Sequence, residues 1–219
     1  MTSAPGHRPR TAHGFGKNRI EALADGIFAV AMTLLVLDVK LPGDELFTSS
    51  AGLLARLLSV EHTYVIYLIS FAVLGMFWVV HHAQFHFVRS VDHALLWINL
   101  AFLFVVTAVP FSTDLLGDHH NLRLPYLIYG FALLALASLL MLQIAYLERH
   151  RELAEPAFTR EVGRRIVRRV GVFALIPLIS MAAVFYNTHL ALYLYFLLPI
   201  AHFLPGRIEA VVPPAGDDA

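Results

Sequence analysis

Residues 19–38 read Arg19-Ile-Glu-Ala-Leu-Ala-Asp25-Gly-Ile-Phe-Ala-Val30-Ala-Met-Thr33-Leu34-Leu-Val-Leu37-Asp38. From Ile20 to Val39 the run is apolar apart from a few residues near its ends, and it is about as long as the ~20 residues that carry an α-helix across a bilayer. Five more such blocks follow, at Thr63–Phe87, Ala94–Leu116, Pro125–Leu147, Val170–Tyr186 and Leu190–Leu204. The last two are short and flank Asn187-Thr188-His189, which reads as the turn of a tight helical hairpin. The blocks are continuous rather than alternating, so membrane β-strands are excluded.

The composition agrees with this reading. Of 219 residues, 58% are hydrophobic and 15% charged, against about 45–50% and about 25% in soluble domains. Mean hydropathy is +0.67. The 16 basic and 16 acidic residues balance, which argues against a nucleic-acid binder. Without cysteine, disulfides, thiolate metal sites and cysteine nucleophiles are ruled out. No Walker loop, dinucleotide fingerprint, serine elbow or zincin motif occurs.

Thirteen of the 16 basic residues fall before the first block, between the second and third, between the fourth and fifth, or after the sixth. Lys40, Arg56 and Arg123 lie on the other side. The positive-inside rule therefore puts both termini in the cytoplasm. Residues 1–16 and Val211–Ala219 read as disordered, and no cleavable signal peptide is expected. Pro42-Gly43 ends the first span, and Leu53–Leu58 suits a short interfacial helix. Arg164, Arg165, Arg168 and Arg169 form one basic face of a helical linker beside the inner leaflet, a topology anchor attracted to anionic lipid.

Polar residues inside spans are costly and therefore informative. Asp25 and Asp38 are each expected to reach a neighbouring helix, since Arg19 lies about 240° round the helix from Asp25. Between them, Val30, Thr33, Leu34 and Leu37 recur at i, i+3, i+4 and i+7 on one face. Such a stripe packs in a core or against lipid, and lines a pore only when several copies surround an axis. The second span carries His81, His82 and His86. Cross-helix hydrogen bonding is the commonest use of such histidines, with proton sensing and metal or haem ligation as alternatives. Asn99 suits a cross-helix donor, and Pro110 bends the third span with Thr107 or Ser112 to compensate.

Three motifs stand in order on the first three spans: Arg19-x-x-x-Leu23-Ala24-Asp25, Trp78-x-x-His81-His82-x-x-Phe85, and Asn99-Leu100 followed by Pro110-Phe111. Together they resemble the prokaryotic branch of the endolysosomal potassium channel family known as transmembrane protein 175, from about Arg19 to Leu204. Leu23 and Ala24 stand where the family has Phe and Ser, so aromatic packing and a hydroxyl are missing.

The resemblance implies an all-α membrane protein of six transmembrane helices per subunit, a homotetramer whose central pore is lined by helix 1. The channel domain would cover residues 18–206, between a disordered cytoplasmic N-terminus over 1–17 and a disordered cytoplasmic tail over 207–219, both read from composition. The pore-lining constriction would be Val30, Thr33, Leu34 and Leu37. Arg19, Asp25, Trp78, His81, His82 and Asn99 would form a structural network. The expected activity is potassium-permeable cation conduction in the cell membrane, with no enzyme chemistry and no carbonyl-type filter. No cofactor or metal is implied beyond permeant potassium ions, and the partners are further copies of the chain, the lipid bilayer and monovalent cations. The alternative is a membrane redox or metal/haem-binding protein using the second-span histidines.

Overall fold

The computed structural model describes residues 16–39, 49–59 and 61–203, apart from the side chains of Asp38, Arg56 and residues 201–203. The expectations for residues 1–15, Pro42-Gly43, Leu204 and the C-terminal tail lie outside these residues. Every long element is helical: α1 (Lys17–Leu34), α2 (Ser50–Ser59), α3 (Glu61–Phe85), α4 (His93–Asp118), α5 (Arg123–Arg149), α6 (Arg160–Ala183) and α7 (Thr188–Phe203).

Five helices are long and apolar enough to cross a membrane. The described residues of α7, 16 in number, cover about 24 Å of a typical ~30 Å hydrocarbon core. The fifth span departs from expectation, because its helix starts at Arg160 rather than Val170. Thr159 caps that start by accepting a hydrogen bond from the Val162 amide at 3.2 Å, so the arginine-rich stretch forms the opening turns of α6 rather than a separate linker. The short helix expected over Leu53–Leu58 forms as part of α2, which is largely exposed. The hairpin turn is set by Asn187, whose Oδ1 accepts from the amides of His189 and Leu190 at 2.8 and 3.2 Å.

Successive helices pack as neighbours, α4 on α5, α5 on α6 and α6 on α7, with α3 set against α1, α4 and α7. Two glycines permit the closest approaches. A Cβ at Gly130 of α5 would collide with Met181 and Tyr195, and one at Gly163 of α6 with Glu148. Thr107 and Ser112, either side of Pro110, donate to the carbonyls of Phe104 and Val109 at 2.7 and 2.8 Å.

A hydrophobic cluster around Phe28, Leu74, Phe102 and Leu136 fills the middle of the bundle. A second, around Ile20, Phe85, Leu95, Leu147 and Phe158, fills the end that carries most of the arginines. There the α3–α4 and α5–α6 connections are tied together. The Arg89 amide donates to the Leu153 carbonyl at 2.8 Å and the Glu155 amide to the Phe87 carbonyl at 2.9 Å. α1 sits at the edge of the bundle, packed on α3 and α4.

Candidate functional site: the first helix and its anchors

The two sides of α1 differ sharply. Ile20, Ala24, Phe28, Ala31 and Leu35 are buried against α3 and α4. Their spacing of four, four, three and four residues keeps them on one face. The opposite arc is open: Val30 is 58% exposed, Leu34 43% and Leu37 64%. The stripe read from the sequence therefore lies outside the subunit core. It also continues toward the N-terminus, because Arg19, Leu23, Gly26, Val30, Thr33 and Leu37 alternate by four and three residues. That period of 3.5 is the repeat of a seam along which like helices meet. The α-helix ends at Leu34 and tightens into a 3-10 turn over Leu35–Asp38. Leu37 thus follows the stripe on a narrower winding than a single α-helix to Val39 would give.

Thr33 is the one hydroxyl on this stripe. Its Oγ1 donates to the Val30 carbonyl at 2.9 Å. With the proton turned back onto the helix, the oxygen lone pairs are what remains to face outward.

Two hydrogen bonds from α3 hold the region in place. The Trp78 indole Nε1–H donates to Asp25 Oδ1 at 2.8 Å, so Asp25 is answered by the neighbouring helix. His82 lies one turn on, its ring tilted over the Trp78 indole with centroids 5.9 Å apart. Deeper in the bundle, His81 Nε2 lies 2.8 Å from Asn99 Oδ1. With His81 donating there, the Asn99 carbonyl oxygen also accepts from Gln143 Nε2 at 3.4 Å. The His81 ring is stacked on Phe102 at 5.0 Å and 3° and on Phe85 at 4.5 Å, and Phe28 of α1 approaches it at 6.3 Å. Phe28 thereby ties α1 to the His81–Asn99 pair.

Not every predicted member joins this network. The Arg19 side chain is exposed and makes no hydrogen bond or ion pair with a described residue; Lys17 pairs with Glu21 instead, at 3.9 Å. Ala24 is buried, whereas Leu23 lies on the open arc at 45% exposure. The side chain of Asp38 is outside the described residues.

The sequence reading passed over Gln84 and Gln143, both buried. Gln143 is a lone amide in an apolar run and Gln84 lies among the second-span histidines, and each is a signal because an unpaired polar group inside a span is costly. The metal or haem alternative finds no support. His81 spends Nε2 on Asn99 and is enclosed by aromatic rings, while His82 turns outward to Trp78. Among the described residues no three metal-ligating side chains converge.

A second polar cluster closes the arginine-rich end. Asp92 caps α4 through the Leu95 amide at 2.9 Å and accepts from the Tyr146 hydroxyl at 2.6 Å. Tyr146 stacks on His150 at 4.1 Å. Partial burial pushes the Asp92 carboxyl up, but the Tyr146 and Leu95 hydrogen bonds and the nearby His150 outweigh it and hold the group below its ordinary value.

A bundle of long apolar helices, fastened by indole–carboxylate and imidazole–amide bonds between neighbours, is the architecture of a multi-helix membrane protein. The chain is a member of the TMEM175 family of ion channels. The model of the endosomal/lysosomal potassium channel TMEM175 matches residues 19–110, from the motif arginine to Pro110. A potassium channel of Chamaesiphon minutus is 42% identical over 122 residues, 54% of this chain and 60% of the relative. A potassium channel of Streptomyces collinus is 44% identical over 101 residues, 46% of this chain and 48% of the relative. The alignments thus span about half the length of these curated relatives. A crystal structure of a lysosomal potassium-selective channel TMEM175 homologue from Chamaesiphon minutus superposes with a TM-score of 0.72 at 32% identity, covering 85% of this chain and 95% of that one. This is a family of ion channels rather than enzymes.

Proposed function

We propose that the chain forms a homotetrameric, potassium-permeable cation channel of the cell membrane, both termini cytoplasmic, in which four copies of α1 surround the pore. The observation that carries this reading is the open seam of α1. Its stripe from Leu23 to Leu37 stands exposed on a subunit whose other α1 face is fully packed. Arranged about an axis, Val30 forms a hydrophobic collar, and Thr33 lies about 4.5 Å further along it. Leu34 and Leu37 follow. A collar of this kind admits ions when wide and wet and stops them when narrow enough to dewet. The Thr33 oxygens, their protons held by Val30 carbonyls, offer a partly dehydrated cation a ring of acceptors. The sequence has no Thr-Val-Gly-Tyr-Gly segment, so discrimination among monovalent cations falls to these side chains and is moderate. Trp78, Asp25, His81, His82 and Asn99 fix the angle at which α1 meets the axis; they do not bind ions.

The test is potassium flux from liposomes holding the purified protein, with native mass measured in detergent. Val30→Trp and Leu34→Trp, at exposed positions that disturb no core contact, should each reduce flux at least tenfold at unchanged tetramer mass. Wild-type flux in both variants, or a monomeric mass for the conducting species, would overturn the assignment.

A further inference from the structure

The arginine row on α6 has a geometry that the channel reading does not use. Arg160, Arg164 and Arg168 stand at i, i+4 and i+8, all exposed, and none makes an ion pair with a described residue. Arg165, on the flank of the row, is paired with Glu161. Arg169 is turned away and half-buried. Within the helix this arrangement is unfavourable on two counts. Like charges four residues apart repel, and Arg160, in the first turn, sits at the positive end of the helix dipole. Both terms reverse if an anion from outside lies along the row.

The same face says which anion. Beyond Arg168 the exposed arc continues as Val172, Leu175, Leu178 and Ile179, between 49% and 54% exposed. From Arg168 to Leu178 the helix rises about 15 Å, half of a ~30 Å hydrocarbon core. Three guanidinium groups with no ion-pair partner among the described residues therefore lead directly into about one leaflet's depth of open apolar surface. Guanidinium groups match phosphate oxygens bidentately, and the apolar stripe matches an acyl chain.

We propose that this face of α6 is a binding site for an anionic phospholipid, its headgroup phosphate held by Arg160, Arg164 and Arg168 and an acyl chain lying along Val172, Leu175 and Ile179. The site differs from a diffuse basic surface in depending on that row. It is independent of what passes through the pore.

The experiment follows the thermal midpoint of the full chain in detergent as dioleoylphosphatidylglycerol, dioleoylphosphatidylcholine or inorganic phosphate is titrated. Wild type should be stabilised saturably by phosphatidylglycerol and little by the other two. At roughly fivefold per arginine, Arg160→Gln/Arg164→Gln/Arg168→Gln should need on the order of a hundredfold more phosphatidylglycerol. The control Arg89→Gln/Arg149→Gln, exposed arginines at the same end but off the row, should respond like wild type. If the triple glutamine variant does not fold, Arg164→Gln alone should show the fivefold step, and Arg160→Lys/Arg164→Lys/Arg168→Lys, which keeps the charges but not the bidentate geometry, should need more phosphatidylglycerol than wild type and less than a charge-free row. An unchanged response of the row variants, equal loss in the control pair, or full stabilisation by inorganic phosphate would each overturn the proposal, the last by making this a free-anion site.

Discussion

The His81–Asn99 bond offers a test that separates a hydrogen bond from the packing around it. At 2.8 Å and with His81 only 2% and Asn99 0% exposed, the pair cannot turn to solvent when broken. Asn99→Leu leaves the His81 N–H without an acceptor, and an orphaned buried donor costs about 1–3 kcal/mol. His81→Phe keeps a ring between Phe85 and Phe102 but leaves Asn99 with only the long 3.4 Å contact from Gln143. The double variant removes both polar groups, so its destabilisation should fall short of the sum of the two singles. Cross-helix hydrogen bonds in membrane proteins average ~0.6 kcal/mol in double-mutant cycles and reach ~1.7. A short bond sealed by three aromatic rings belongs near the top of that range. For a chain of this size about 1 kcal/mol moves the melting midpoint by roughly 2–4 °C, so the coupling should appear as roughly 3–7 °C. Unfolding in one detergent, followed for wild type, both singles and the double, supplies the cycle. Strict additivity, with coupling below about 0.3 kcal/mol, would show that the rings alone hold α3 to α4 and that the hydrogen bond contributes nothing.

Other positions give sharper yes-or-no outcomes. Gly130→Ala should destabilise by about 1–3 kcal/mol, because the added methyl meets Met181 and Tyr195; an unchanged melting midpoint would contradict the α5–α6–α7 packing. Asp92 titrates below its ordinary value in the folded chain, so its contribution to stability is complete above the unfolded value of about 4 and fades as pH falls through the lower native one. Asp92→Asn should therefore lower the melting midpoint at pH 7 and flatten its decline as pH falls below about 5, and an equally steep acid limb in the variant would refute this. Gly26→Leu, at a position whose Cβ meets nothing within 4 Å, should spare the subunit fold yet reduce the tetramer fraction seen by native mass; an undiminished tetramer would remove Gly26 from the seam.

Much of the fold was legible because apolar run length is a direct physical requirement of the bilayer, and α3, α4 and α5 coincide closely with the expected blocks. α6 was misjudged at its start. Its first ten residues hold five arginines, and a hydropathy reading takes such a stretch for a loop even though Thr159 and Glu161 are good helix-opening residues. At the other extreme, the described part of α7, Thr188–Phe203, agrees with the short block Leu190–Leu204 read from the sequence. The α1 stripe was visible as periodicity, but periodicity cannot say whether a stripe faces core, lipid or pore. Only the packing of Phe28 and Leu35 on the far side leaves Val30 and Leu37 open. Arg19 was grouped with Asp25 by motif, whereas the folded chain leaves it exposed and gives Asp25 to Trp78. Gln143 escaped notice because one amide among leucines carries no spacing; its meaning comes from lying beside Asn99.

An open apolar face does not by itself bring subunits together, since lipid tails solvate leucine and valine as well as a neighbouring helix does. The drive has to come from close packing and from polar groups that lipid cannot satisfy. The open arc of α1 contains both. Ala22, Gly26 and Ala29 are small residues spaced by four and three, which lets a neighbouring backbone approach closely, and beside them lie Asp25 and, on α3, the Trp78–His82 pair. Val30 and Leu37, by contrast, gain nothing from exchanging lipid for one another. In the proposed tetramer the two strips therefore divide the work. The small and polar strip supplies the association energy, and the larger apolar side chains, uninvolved in that energy, are left to set the bore. A substitution at Val30 or Leu34 then alters flux at constant oligomeric state, whereas one at Gly26 alters the oligomeric state itself, and it is this separation, rather than either effect alone, that distinguishes a pore-lining helix from a lipid-facing one.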